Sequence, residues 1–147
     1  MKFCVRSAKP PLVVCDTNVV LAHIRRRQLL PVRSFLPVIV VGELKAFALK
    51  SDWGYQRVAF MDHIIESYPV VDIREDLTDL YARIDAYSQG RLFGQPLPKG
   101  LTARNMSKND LWIAAISLAL DLPLHTADHD FDHLPALGLQ LVKELPW

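Results

Sequence analysis

The chain has 147 residues, of which half are hydrophobic, and a formal net charge of +1. This length suits one domain, predicted to span residues 1–147, with enough apolar side chains for a sizeable core. Its apolar runs are shorter than the roughly 18 to 20 residues of a membrane span, and its start lacks the apolar core of a signal peptide. With Cys4 and Cys15 too few for a disulfide framework, we expect a cytoplasmic protein without membrane segments.

Short apolar segments alternate with amphipathic ones along the first half of the chain. Continuous apolar runs without alternation are typical of buried strands, whereas apolar residues at a spacing of three or four are typical of helices. In chain order we predict a strand over 10–15, a helix over 17–28 capped by Thr17 or Asn18, a strand or extended lead-in over 36–41, a helix over 42–50, a helix over 54–67 and a strand over 68–73.

The second half continues the alternation around one long glycine- and proline-rich loop. In chain order we predict a helix over 75–90, the loop over 91–106, a nearly all-apolar helix over 107–121, a strand over 122–126, a turn over 127–134 and a last strand over 139–144. Strands that alternate with helices indicate a parallel sheet with both faces covered. The predicted fold is therefore α/β, a three-layer α/β/α sandwich around a central, mainly parallel sheet.

Four acidic residues stand where predicted strands end or helices begin: Asp16, Glu43, Asp110 and Asp128. Each has an ordinary structural explanation. Asp16 could cap a helix, Glu43 could favour a helix dipole, and Asp128 could lie in a solvated turn. Asp110 completes a capping box with Ser107, although it also leads into the most apolar helix of the chain, where an unpaired charge is costly.

The four acids are more informative as a set than singly. In open α/β sheets, functional groups gather at the carboxyl ends of the strands. Carboxylates that meet there cannot all stay ionised without a cation, and oxygen-only ligands suit Mg²⁺ or Mn²⁺.

Other metal-binding patterns fail. His125, His129 and His133 recur every four residues, but they span a predicted strand and turn rather than one helix face, so we do not expect a zinc site. The segment "DHDFD" begins like a calcium loop, yet His133 stands where glycine is required and Leu139 where the ligating glutamate belongs.

The motifs "VVCDTNVV", "VVGEL" and "NDLWIAAISLALDLPLHTADHDF" together resemble the PIN-domain ribonucleases, specifically the VapC-type toxins of type II toxin–antitoxin systems. The resemblance runs from about Leu12 to Trp147 and puts all four acids at the family's acidic positions. It implies a Mg²⁺- or Mn²⁺-dependent endoribonuclease that hydrolyses RNA phosphodiester bonds with a metal-activated water. It also implies that Asp16 and Asp110 are central ligands, that Glu43 and Asp128 complete the site, and that three polar residues orient them: Thr17, Asn18 and Thr126.

The same resemblance implies a small antitoxin protein as a partner, bound among the early helices, and a homodimer. For the RNA substrate, cations in or beside the long loop are the candidate phosphate contacts: Arg91, Lys99, Arg104 and Lys108. If four of the 16 acids line a metal site, 12 remain against 17 lysines and arginines, which favours a polyanionic ligand. The run Arg25–Arg27 is an alternative place to hold RNA.

Two other functions remain open at this point. A haloacid-dehalogenase-like phosphatase also places an aspartate after its first strand, but that chemistry needs a second acid where this chain has Asn18, which cannot donate the proton. A catalytically silent module that keeps the PIN-like fold for binding is the second alternative.

Overall fold

The computed structural model describes residues 12–30 and 33–143. The strands are β1 (Val13–Cys15), β2 (Ser34–Pro37), β3 (Val70–Val71), β4 (Leu124–His125) and β5 (Leu141–Val142). The helices are α1 (Thr17–Arg26), α2 (Val38–Lys50), α3 (Tyr55–Ser67), α4 (Thr78–Ser88) and α5 (Lys108–Leu120), with short 3₁₀ turns at Glu75–Leu77, His129–Phe131 and Leu134–Leu137. Cys4, the first two residues of the strand predicted over 10–15, and Glu144 lie outside the described residues.

All five strands pair in parallel in the order β3-β2-β1-β4-β5. Val13, Val14 and Cys15 of β1 are 0%, 0% and 1% exposed. Because successive side chains of a strand point to opposite faces, layers of structure must cover both faces of the sheet. The predicted three-layer α/β/α sandwich is confirmed. Within the described residues, no helix is both long and apolar enough to cross a membrane.

The connections leave β1 toward β2 on one side and return to β4 on the other, so the order of strands reverses at the boundary between β1 and β4. Such a reversal opens a crevice outside the carboxyl ends of the strands, where α/β proteins bind ligands. Asp16 follows β1, and Thr126–Asp128 follow β4. These polar segments therefore lie at the crevice.

The prediction that residues 36–41 are extended holds only for Leu36 and Pro37, and the prediction that Glu43 begins a helix is wrong. The strand β2 ends at Pro37, and α2 begins at once with Val38. Proline suits this junction because its fixed φ, here −56°, and its missing N–H are both tolerated at a helix start. The β-branched residues that follow are helical because tertiary burial outweighs their strand preference, as with Val40 at 0% exposure.

The sequence offered three candidate caps for the first helix, and the structure uses one of them. Asp16, not Thr17 or Asn18, is the N-cap of α1, and its Oδ1 accepts a hydrogen bond from the backbone N–H of Thr17 at 2.7 Å. Residues 91–106 form the predicted loop, which folds back on α4 through a hydrogen bond from the Arg104 N–H to the Ser88 carbonyl oxygen at 2.8 Å.

Candidate active site

A cleft of about 750 Å³ lies at the carboxyl ends of β1 and β4. All four acids singled out from the sequence line it, although they come from four separate parts of the chain. Its polar wall continues through Thr17, Asn18, Ser107 and Asn109. The rest of the lining is largely apolar and comes mainly from α1 and α2: Leu21, Val38, Ile39, Ala46, Phe47 and Ile73.

Asp16 is the most enclosed of these acids, with only 4% of its surface exposed. Its Oδ1 accepts the capping bond from Thr17, and its Oδ2 accepts a hydrogen bond from the Thr126 hydroxyl at 2.7 Å. Burial raises the pKa of Asp16 above its ordinary value, against the hydrogen bonds from Thr126 and Thr17 that favour the carboxylate. The carboxylate is therefore held in one orientation but lacks full compensation for its buried charge.

Thr126 links the two strand ends on which the site is built. Its hydroxyl donates to Asp16 and also accepts a hydrogen bond from the backbone N–H of Asp128 at 3.0 Å. The side chain of Asp128 then accepts from the backbone N–H of Asp130 at 2.9 Å, which turns the chain after β4 sharply. The sequence prediction that Thr126 orients the acids corresponds to this bridge.

Glu43 reaches the cleft from the second turn of α2. Its Oε1 accepts a hydrogen bond from the Thr17 hydroxyl at 3.1 Å, so Thr17 connects the start of α1 to the second turn of α2. Burial raises the pKa of Glu43, and the charge of Asp16 adds to the rise, while hydrogen bonds from Thr17 and Asn109 oppose it. Asn18 is exposed and lines the cleft beside these groups.

Asp110 takes part in a helix cap through its backbone and lines the cleft with its side chain. Its backbone N–H donates to the Ser107 hydroxyl at 3.1 Å, which is the helix cap expected of a capping box. Its carboxylate meanwhile faces the cleft. Burial, then the charge of Asp16, raises its pKa to about 7, and the charges of Asp128 and Glu43 add to the rise. Like charges thus converge on Asp110, as they do in a site prepared for a cation.

A fifth acid, Asp130, joins this group and was not among the sequence candidates. Asp110, Asp128 and Asp130 each offer a carboxylate oxygen, and these atoms all lie within 4.8 Å of one another. The only sequence signal was the spacing "DHD" directly after β4, which had been considered as the start of a calcium loop. The folded chain places Asp130, the second of these aspartates, within reach of Asp110.

None of the four cations proposed to contact RNA lines the cleft. Arg91, Lys99 and Lys108 are exposed. Arg104 is half-buried, and its guanidinium donates to the His129 carbonyl oxygen at 3.3 Å. Among the residues that the structure describes, Lys50 at the end of α2 is the one cation in the cleft lining, and sequence reasoning did not single it out.

Comparisons with known proteins agree with this arrangement. A profile of the PIN domain family matches residues 13–137. Ribonuclease VapC5 from Mycobacterium tuberculosis (strain ATCC 25618 / H37Rv) is 31% identical, over 93% of this chain and 98% of that protein. The crystal structure of VapBC-5, a member of the VapBC family of toxin–antitoxin systems from Mycobacterium tuberculosis, contains a chain with a TM-score of 0.63 and 26% identity, covering 92% of this chain and 100% of that one.

A second solved structure, VapBC-1 from nontypeable Haemophilus influenzae, matches with a TM-score of 0.60 and 26% identity, over 89% of this chain and 96% of that chain. The family profile spans the whole segment from β1 to the last 3₁₀ turn and therefore includes every acid of the cleft. The resemblance drawn from the sequence motifs is confirmed: this chain belongs to the PIN domain family, with a VapC ribonuclease among its relatives.

Proposed function

We propose that this protein is a metal-dependent endoribonuclease, the toxin component of a type II toxin–antitoxin pair, that hydrolyses RNA phosphodiester bonds. The observation that carries the proposal is the convergence of Asp16, Glu43, Asp110 and Asp128 on one cleft at the point where the strand order reverses. Membership of the PIN domain family and the relation to Ribonuclease VapC5 support the activity. The same membership leaves no support for the phosphatase alternative.

The residues of the cleft fit a divalent metal ion. Carboxylate oxygens are the ligands that Mg²⁺ and Mn²⁺ prefer, and Asp110, Asp128 and Asp130 offer three of them within 4.8 Å. The raised pKa values of Asp16, Glu43 and Asp110 show negative charge gathered where burial disfavours it, which a bound cation would relieve. We therefore propose Mg²⁺ or Mn²⁺ as the cofactor.

A divalent ion bound among such carboxylates lowers the pKa of water and stabilises negative charge on a phosphate. The chain supplies the orientation. Thr126 and the N-terminus of α1 fix both oxygens of Asp16, and Thr17 fixes one oxygen of Glu43. We assign Asp16 and Asp110 as central ligands, with Glu43 and Asp128 completing the site and Thr17, Asn18 and Thr126 holding them in place.

The wider cleft suits the partners that the family implies. Its apolar wall along α1 and α2 can receive apolar side chains of a small antitoxin segment that reaches the acids, and so block access of RNA. We propose such an antitoxin as the cognate partner, a homodimer as the assembly, and the cytoplasm as the place of action because the substrate is RNA. Light scattering of the purified protein tests the dimer.

Cleavage of a labelled RNA by the purified protein tests the chemistry. We expect cleavage with added Mg²⁺ or Mn²⁺, none in EDTA, and recovery when the ion is restored in excess. The Asp110→Asn protein, prepared identically, controls for a contaminating nuclease and should be inactive under every condition. Undiminished cleavage in EDTA by the parent protein would refute the metal-dependent mechanism.

Expression in a bacterial host tests the toxin assignment separately. The parent protein should slow growth, the Asp110→Asn variant should not, and co-expression of the gene beside it should restore growth. Normal growth with a protein that cleaves RNA in vitro would count against the toxin role but leave the nuclease intact.

A further inference from the structure

Lys143 follows the edge strand β5 directly, at the same carboxyl edge of the sheet as the acidic cleft. Its Nζ donates to the main-chain oxygen of Asp128 at 2.6 Å and also lies 2.6 Å from Oδ1 of Asp132. The parallel pairing of β4 with β5, continued by a hydrogen bond from the Thr126 N–H to the Val142 carbonyl oxygen at 3.0 Å, sets this position. The lysine thus contacts the backbone of a candidate metal ligand.

Side chains hold both main-chain polar groups of Asp128. Its N–H donates to the hydroxyl of Thr126 at 3.0 Å, and its carbonyl oxygen accepts from Lys143. Farther along, Oδ2 of Asp132 lies 2.8 Å from Nδ1 of His129, so the carboxylate that anchors Lys143 also ties down the turn itself. The segment that carries two of the clustered acids is therefore fastened at both ends.

We propose that Lys143 is a positioning residue: by holding the carbonyl of Asp128 and pairing with Asp132, it keeps the carboxylates of Asp128 and Asp130 directed toward Asp110 and so sets the affinity of the site for a divalent cation. This inference rests on the proposed metal site. Groups that orient metal ligands without touching the metal typically change metal affinity by about 10- to 100-fold. We call the contacts of Lys143 with Asp128 and Asp132 the Lys143 clamp.

A purely electrostatic effect of Lys143 would have the opposite sign. Removing a positive charge beside carboxylates strengthens their attraction for another cation, so Lys143→Met would tighten metal binding by charge alone. Loss of the clamp would instead let the turn move and weaken binding. The direction of the change in affinity therefore distinguishes positioning from simple charge.

The decisive variant removes the clamp without changing the net charge. In Lys143→Met with Asp132→Asn, one cation and one anion disappear together. The matched control is Arg74→Met with Asp76→Asn, which removes an exposed ion pair of 3.4 Å elsewhere on the surface. We would titrate each protein with Mn²⁺ and follow the electron paramagnetic resonance signal of the free ion. The clamp variant should bind about 10-fold more weakly than the parent, and the control should bind like the parent.

Two further measurements keep the proposal falsifiable. Circular dichroism of each metal-free protein reports whether it is folded, and Lys143→Met alone replaces the double variant if that one does not fold. With Mn²⁺ in large excess, the clamp variant should regain most of its RNA cleavage, because its defect lies in affinity. A parent that binds no Mn²⁺ would overturn the proposed metal site and the clamp with it. If the parent binds Mn²⁺ and the folded clamp variant binds Mn²⁺ equally or more tightly, the clamp alone is overturned.

Discussion

The acidic cleft and the basic loop of residues 91–106, taken with Lys108 at the start of α5, hold their charged side chains in opposite ways. In the cleft, Asp16 is 4% exposed, and each of its carboxylate oxygens accepts a hydrogen bond. Arg91 and Lys99 of the loop and Lys108 of α5 are exposed, and Arg104 is the one of the four proposed RNA contacts whose side chain is seen to donate to a fixed carbonyl oxygen.

This difference matches the two tasks of a nuclease. A group that stabilises charge at the reacting phosphate must be oriented before the substrate arrives, because reorganisation during the reaction would raise the barrier. Contacts to flanking phosphates only have to follow a flexible polymer, and exposed lysine and arginine side chains can do so. We therefore expect substitutions in the cleft to affect turnover and substitutions in the loop to affect binding.

The largest effect should come from Asp16→Asn. The variant keeps the shape of the side chain and an effective N-cap, since asparagine caps helices about as well as aspartate. It removes a ligand charge, so cleavage should fall by more than the roughly 100-fold typical of losing an outer partner of a metal ligand. Single-turnover cleavage and thermal unfolding, measured on the same preparation, check both parts. Near-normal cleavage would mean that Asp16 serves only as a helix cap.

Asp110 and Ser107 form a matched pair that separates chemistry from capping. Asp110→Asn should abolish cleavage yet keep the cap, because the capping bond uses the backbone N–H of Asp110. Ser107→Ala should lower the free energy of unfolding by about 1 kcal/mol and change cleavage far less. Urea unfolding and cleavage rates of both variants check this. If Asp110→Asn unfolds more easily but cleaves RNA at the normal rate, Asp110 serves the helix alone.

The free energy of unfolding of the metal-free protein should depend on pH because of Asp110. Burial and neighbouring charges raise the pKa of its carboxyl from 3.8 to about 7, so the folded state holds this proton more tightly than the unfolded chain does. Folding is therefore favoured at low pH, and this contribution is lost as the pH rises from about 4 to 7. The stability of Asp110→Asn relative to the parent should grow across that range and then level off.

Unfolding midpoints in EDTA at several pH values check this prediction. Subtracting the midpoint of the parent from that of Asp110→Asn removes the contribution of the buried histidines, which both proteins share. Burial lowers the pKa of His23, His125 and His133, which gives the opposite pH dependence in both proteins. A difference that does not vary with pH would show that the carboxyl of Asp110 titrates normally.

The smallest effect should come from single changes in the loop. Lys99→Ala, made in the inactive Asp16→Asn background, should weaken binding to all RNAs about equally and lower the log–log salt slope by roughly 0.7. Lys45→Ala, an exposed lysine on α2 outside the cleft lining, is the matched control. Binding to labelled RNA across a salt series measures the slopes. If the slope is unchanged for Lys99 and for the other three loop cations, RNA must be held elsewhere, as at Arg25–Arg27 or Lys50.

Much of this architecture could be predicted from local patterns in the chain. The apolar run at 13–15 and the apolar helix at 108–120 are strongly patterned, and both occur as expected. The wrong prediction of extended structure at residues 38–41 also has a physical reason. Four residues with strand preference form the start of α2, because the burial of Val40 and Val41 in the core contributes more than intrinsic propensity does.

The residues of the candidate site also fall into those that local sequence patterns predicted and those that only the tertiary structure placed. By itself, the sequence determined that Asp16 and Asp128 follow strands and that Asp110 lies at the start of a helix, because those junctions are local and because parallel strands must bring their carboxyl ends to one edge. Tertiary structure alone decided the rest. The carboxylate of Asp130 lies beside that of Asp110, Lys143 reaches Asp128 through the pairing of β5 with β4, and Lys50 of α2 lines the same cleft as Asp16 and Asp110. Each of these depends on contacts between segments distant in the chain, which no local pattern encodes.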